Sequence, residues 1–235
     1  MDWIGIIERE GTALAAAARK APDAAIPSCP GWDMGELLRH CSTAHRWATH
    51  GLRATGTERP GFDEVPPDAG VEWFEEGLAG LLAALREADP DEPAWTFDPN
   101  NRTKGFWFRR QAHETAVHGV DAKQGAGVSV SIDADLAADG IDELLTAYVP
   151  RIVKAASIEP GGTVHVHTTD VEGEWLLTFG DDGPSVERGH AKGDAAVRGP
   201  AEHLYLWLWG RMPIDGLEVF GDEAMALKLR RATTA

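Results

Sequence analysis

PGGTVHVHTTDVEGEWLLTFG, residues 160–180, is where the chain changes character. From Thr163 to Asp170 the residues alternate with period two, and EWLLTFG (174–180) follows after a VEG turn, so the two runs read as a β-hairpin. Before Pro160 the period is helical. Trp3, Ile6, Ile7, Leu14 and Ala17 recur at helical spacing until Pro22 closes the run. PSCPGWD (27–33) is a turn. Asp33 with Glu36 has the D-x-x-E form of a capping box, opening a second helix through LLRHCSTAHRWATH to about His50. Residues 54–70 hold three prolines and three glycines, a loop long enough to border a site. A third helix is expected over Val71–Ala88 and a fourth over 106–122, FWFRRQAHETAVHGVDA. A fifth helical stretch starts at Asp133, and Pro150 is expected to kink or divide it.

Beyond the hairpin, 184–198 reads as a further pair of short strands. AEHLYLWLWGR (201–211) reads as an aromatic-rich helix, LEVFG (217–221) as a strand, and Asp222 as the cap of a last short helix. The expected fold class is α+β in two domains. A helical bundle covers 1–159 and a small α+β domain covers 160–235, meeting where the period switches.

The chain has 235 residues, between one and two domains at the usual size of roughly 100–200 residues. Hydrophobic residues at 43% and charged residues at 26% exclude a disordered or fibrous chain. Thirty-eight acidic against 22 basic residues give a net charge of −16, which repels nucleic-acid phosphates and anionic membrane surfaces, and no basic patch offsets it. Cys29 and Cys41 form neither a CxxC pair nor a disulfide framework, a usage suited to a reducing cytoplasm. Asp2, Glu8 and Glu10 stand where a signal peptide needs a basic start and an apolar run, and no stretch approaches the ~18 apolar residues of a membrane span. The expectation is a cytoplasmic monomer or homodimer.

Nine histidines invite a metal reading, and helical geometry sorts them. Glu114 and His118 are four residues apart, so at about 100° per residue they lie within about 40° around the helix and one turn along it. His113 is about 140° away from His118 and cannot share an ion with it. The zincin pattern, histidines at i and i+4, is therefore absent. A catalytic zinc takes three protein ligands and keeps an open position. The third would come from a neighbouring helix, and His40, with Leu37, Thr43, Ala44 and Trp47 on its face, is the best placed. The competing reading is an ordinary i,i+4 surface pair beside a hydrogen-bonded interior histidine.

CPGWDMGELLRH (29–40), RRQAHETAVHGVDA (109–122), DADLAADGIDELL (133–145) and GPAEHLYLWLWGR (199–211) together resemble the mycothiol-dependent maleylpyruvate isomerase family. The resemblance spans nearly the whole chain and rests on GW-x7-H followed by E-x3-H-x2-D. It implies a DinB-like metal-binding four-helix bundle at the N-terminus and a sterol-carrier-like α+β domain behind it. It implies His40, Glu114 and His118 as metal ligands; it matches Asp121 to the aspartate three residues after the family's second histidine and Arg211 to a C-terminal-domain arginine tied to activity, and both are taken as catalytic candidates. Two histidines and a carboxylate suit Zn²⁺ or another divalent metal, and mycothiol is the implied thiol cofactor. In the implied reaction a thiolate adds to the cis double bond of maleylpyruvate, the bond turns, and elimination gives fumarylpyruvate.

Each outlying residue carries two readings. Asp121 either orients a site histidine or faces solvent at a helix end. Arg211 either pairs with a substrate carboxylate or is a helix-end cation. Arg102, Lys104, Arg109 and Arg110 either attract an anion or are a solvated helix start. His165 and His167 share a strand face, read as exposed because no third ligand is in view. Cys41 reads as packed and Cys29 as exposed in its turn. Three functions stay open: a thiol-dependent isomerase, a mycothiol S-transferase acting on electrophiles, and a non-catalytic metal-containing binding protein.

Overall fold

The computed structural model describes every residue except 55–56, 156–157 and 235. It contains two compact units, Met1–Val130 and Ser131–Ala235. The first is a bundle of α1 (Trp3–Lys20), α2 (Met34–Arg53), α3 (Val71–Glu87) and α4 (Gly105–Gly125). Packing closes a ring in which α1 lies against α4 and α3, and α2 against the same two helices. Ile7, Leu14, Leu37, Phe74, Leu81, Leu85 and Trp107 fill its interior. Helical periodicity produced these elements, and local chemistry set their starts. Asp2 accepts from Gly5 N at 3.0 Å, and Asp33 accepts from Glu36 N at 2.8 Å. The reciprocal half of the second capping box is not made, because the Glu36 carboxylate turns to Arg39 instead.

The loop expected over 54–70 packs on α2 where it is described. Pro60 O accepts from Trp47 Nε1, Phe62 stacks on Trp47, and Asp63 pairs with His50. Residues 55–56 of that loop lie outside the described residues.

The division at Val130/Ser131 corrects the boundary expected at 159. The fifth helical stretch shares the bundle's period but belongs to the second unit, where α5 (Ala134–Glu143) packs on α7 (Ala201–Leu208). Periodicity shows that a segment is helical and has an apolar face; it does not show which partner that face meets. Pro150 acts as expected, by an unexpected device. The chain widens over Leu144–Tyr148, with Val149 N bonding to Leu144 O five residues back, and α6 (Val149–Ala155) resumes.

The rest of the second unit is a five-stranded sheet with α8 (Glu223–Thr234). Strands β1 (Thr163–Thr168), β2 (Glu174–Gly180), β3 (Gly183–Arg188), β4 (Ala195–Gly199) and β5 (Glu218–Gly221) lie in the order β3-β2-β1-β4-β5. All neighbours are antiparallel except β1 and β4. Val164, Val166, Trp175, Leu177 and Val197 are buried on one face. Helices cover that face: Asp142 of α5 accepts from Trp175 Nε1 at 3.0 Å, and Lys228 of α8 lies over the Phe179 ring.

The parallel partner obliges residues 189–194 to cross β2 and β1 on the opposite face. This strap is tied at both ends, by Gly189 N to Glu174 O and by Asp194 N to Thr163 O. Gly193 lies so close to β1 that a Cβ would stand 3.0 Å from His165 N. The crossing overturns the expectation of an exposed face there, since His165 is only 5% exposed. Among the described residues, no helix is long and apolar enough to cross a membrane.

Candidate metal centre

α2 and α4 run antiparallel, so residues two turns apart on each meet in register along one seam. Trp47 meets Trp107 at 5.1 Å between rings, and His40 meets Glu114 at 3.0 Å. Gly51 makes the seam tight, since a Cβ there would lie 2.9 Å from the Trp107 indole nitrogen.

At one end of the seam three of the expected residues come together. His40 Nε2 and His118 Nε2 lie 3.0 and 3.3 Å from the same oxygen, Glu114 Oε1. One ligand atom from each residue falls within 4.8 Å of the others. Donors on a tetrahedral zinc with bonds of about 2.0 Å stand about 3.3 Å apart, so this set fits such an ion with little side-chain movement. His40 is 41% exposed on its side chain and His118 12%, so the cluster opens to solvent on the α2 side.

The supporting residues explain the orientation. His118 Nδ1–H donates to Asp121 Oδ2 at 2.8 Å, which leaves Nε2 as the atom facing the cluster. Asp121 is fully buried, which excludes the solvent-facing reading. It also accepts from the Ser28 hydroxyl, and Cys29 Sγ lies 3.8 Å away. The turn at 27–33 therefore clamps the carboxylate that orients the histidine. The same turn brings Trp32 within 5.0 Å of the His40 ring and 6.5 Å of His118, between ring centres. Arg110, 2% exposed, donates to Glu114 Oε2 at 3.0 Å, one helical turn before it.

The electrostatics follow from this crowding. Burial alone would raise Glu114, but hydrogen bonding and charge from His118 and His40, with Arg110, hold it well below the usual carboxylate range. Burial would likewise lower His118; Asp121 and Glu114 outweigh it and lift the imidazole to about 9. Cys41 is buried, and desolvation together with Glu114 and Asp121 pushes its thiol well up, so it stays protonated.

The other expected residues lie elsewhere. His113 is buried edge-on to Trp3, and His45 is buried against Phe74. The basic cluster is structural where its partners are seen. Lys104 pairs with Glu92, Arg102 donates to Thr96 O, and Arg110 serves Glu114. Arg211 lies in the second unit just past α7, donating to Trp209 O at 2.5 Å. Sequence reasoning missed Arg110, Ser28 and Trp32 as parts of the centre. Arg110 had a visible signal in its i,i+4 spacing to Glu114, whereas Ser28 and Trp32 join only because a distant turn docks on α4.

Residues 5–123 match the family model described as the mycothiol maleylpyruvate isomerase N-terminal domain, and 135–228 match the MDMPI C-terminal domain. The second match begins just after the division at Val130/Ser131. Among solved structures the chain is similar to a crystal structure of the mycothiol-dependent maleylpyruvate isomerase, with 14% identity, a TM-score of 0.64, and coverage of 92% of this chain and 91% of that one. A histidine-to-alanine variant of the mycothiol-dependent maleylpyruvate isomerase matches at 16% identity and a TM-score of 0.59 over the same shares. At these identities the likeness is one of fold. No curated protein sequence matches the chain.

Proposed function

We propose, from the premise that this chain belongs to the mycothiol maleylpyruvate isomerase family, that it is a metal- and mycothiol-dependent isomerase of a small, anionic, unsaturated acid of the maleylpyruvate class. The observation that carries this reading is the convergence of His40, Glu114 and His118, with His118 Nδ1 already committed to Asp121.

When bound, a divalent ion supplies a Lewis-acid centre that keeps a thiol ionised near neutral pH, and mycothiol supplies the sulfur whose reversible addition lets a cis double bond turn. His40, Glu114 and His118 would hold the ion through Nε2, a carboxylate oxygen and Nε2. Asp121 keeps a proton on His118 Nδ1, so Nε2 is the nitrogen that would give up its proton to hold the ion. Arg110 occupies Glu114 Oε2 and leaves Oε1 as the oxygen facing both histidines. Trp32 flanks both imidazoles and covers one side of the cluster.

Arg211 is assigned the substrate carboxylate. A planar guanidinium matches a carboxylate bidentately, and an acidic chain needs fixed positive charge to hold a dianion. Support comes from its neighbour: Arg230 is lowered by burial and then by the Arg211 charge, so two cations share that corner of the second unit.

The test is turnover of maleylpyruvate to fumarylpyruvate by metal-loaded protein with and without mycothiol. The expected result is isomerisation that requires both and vanishes in His118→Ala. Consumption of mycothiol in step with an electrophile, without isomerisation, would make the chain an S-transferase. Thiol-independent behaviour would overturn the proposal.

A further inference from the structure

The second unit carries a different cluster, on the sheet face that the strap crosses. His165 and His167 share that face of β1, and in the β1–β2 register His167 stands opposite Glu174. The strap adds His190. Its Nδ1 lies 2.7 Å from Glu174 Oε2, and the same oxygen lies 3.0 Å from His165 Nε2. The His190 ring stands edge-on to His165 at 5.6 Å between centres. His167 Nε2 is 3.9 Å from the other oxygen, Glu174 Oε1.

We propose that His165, Glu174 and His190 form a divalent transition-metal site, separate from the bundle centre, that fastens the 189–194 strap to the sheet. One ligand atom from each residue lies within 4.8 Å of the others, close to the spacing of about 3.3 Å between donors on tetrahedral zinc. Two imidazoles and one carboxylate are the donor set of the zinc and nickel class rather than of calcium or magnesium, which take oxygens.

The alternative, a histidine–glutamate hydrogen-bond network, leaves a buried atom unexplained. His165 Nε2 is buried and makes no hydrogen bond among the described residues, although it points at Glu174. As a bare lone pair, Nε2 faces the acceptor oxygen of Glu174, and a cation between the two would satisfy both. His190 is 82% exposed on its side chain and yet tied to Glu174, on the first strand the strap crosses. A fourth position would fall to His167, which would close the site as a structural one, or to water, which would leave it open.

The experiment is metal stoichiometry by native mass spectrometry on the full chain, stripped with chelator and titrated with Zn²⁺ alone. The wild type is expected to take up two ions. His118→Ala is expected to keep one, and that remaining ion should disappear when His190→Ala is added. Because His190 is exposed, its removal should leave the fold in chelator unchanged by circular dichroism; Glu174→Gln in the His118→Ala chain is the second variant. With Zn²⁺ the melting temperature of His118→Ala should rise, and with either added substitution it should not. An uptake of no ion by His118→Ala, or retention of its ion by both added variants, would overturn the proposal. Failure of the bundle reading looks different: His118→Ala would then bind as many ions as the wild type.

Discussion

Acid should loosen the α2–α4 seam through His45. The imidazole is fully buried, with Nε2 3.0 Å from Thr115 Oγ1. Thr115 already donates its hydroxyl proton to Gln111 O at 2.7 Å, so it accepts from His45 Nε2–H. That leaves Nδ1 a bare lone pair, with no partner among the described residues. Burial is the largest cause of a shift from 6.5 down to about 4; the Glu114 charge opposes it, and the His118 and Arg46 charges add to it. The native state thus keeps His45 neutral where the unfolded chain takes up a proton. The resulting stability is fully present above about pH 6.5, drains as pH falls, and is gone near pH 4. At about 1.4 kcal/mol per pH unit the whole span amounts to about 3 kcal/mol. Against a typical total of roughly 5–15 kcal/mol, that is a large loss. His45→Gln keeps an N–H near the Nε2 position and removes the titration. Urea unfolding of metal-stripped wild type and variant at closely spaced pH values gives the difference directly. It should be constant above about pH 6.5 and shift by about 3 kcal/mol toward the variant by about pH 4. A difference flat to within about 0.5 kcal/mol would show that protonated His45 finds compensation the structure does not contain.

Asp121→Asn should weaken zinc binding about 10–100-fold with the fold retained, measured by competition with a chromogenic chelator, because the amide no longer fixes the His118 tautomer by charge. Arg211→Leu should leave metal content and melting temperature nearly unchanged and lower isomerase turnover by roughly tenfold to 150-fold, the loss of one charged contact of about 1.5–3 kcal/mol. Unfolding or loss of metal in that variant would make Arg211 structural. Asp142→Ala should cost about 1–3 kcal/mol in chemical unfolding, since Trp175 Nε1 loses its acceptor; the exposed Arg188 adds little.

What was legible in the sequence was local. The Asp33 cap, the helical stripes, the β1–β2 hairpin and the one-turn spacing of Glu114 and His118 all follow from periods and short-range chemistry. What escaped it was tertiary. The boundary was misplaced because α5 meets α7, more than fifty residues on, and its own residues look the same in either domain. Asp121 had two readings until Ser28, 93 residues away in sequence, was seen bonded to it. His165 read as exposed because nothing in β1 announces that a strap will cross it, and the strap's path is fixed by the parallel pairing of β1 with β4.

That parallel pairing also imposes an order of events on folding. β1, β2 and β3 can zip together as successive hairpins, each closing a loop of a few residues. β4 gains nothing until the strap has been laid across two strands, joining Thr163 to Asp194 over 31 residues of separation. The closure entropy must be met before any β1–β4 bond rewards it. The centre of the sheet, and not its edge at β3, is therefore the last part of the meander to assemble. Gly193 passes close to β1 in that step, where a Cβ would stand 3.0 Å from His165 N. A side chain there should act on the folding arm of the chevron when strap docking is part of the transition state. The residue that looks like a packing detail then governs how long the sheet stays open.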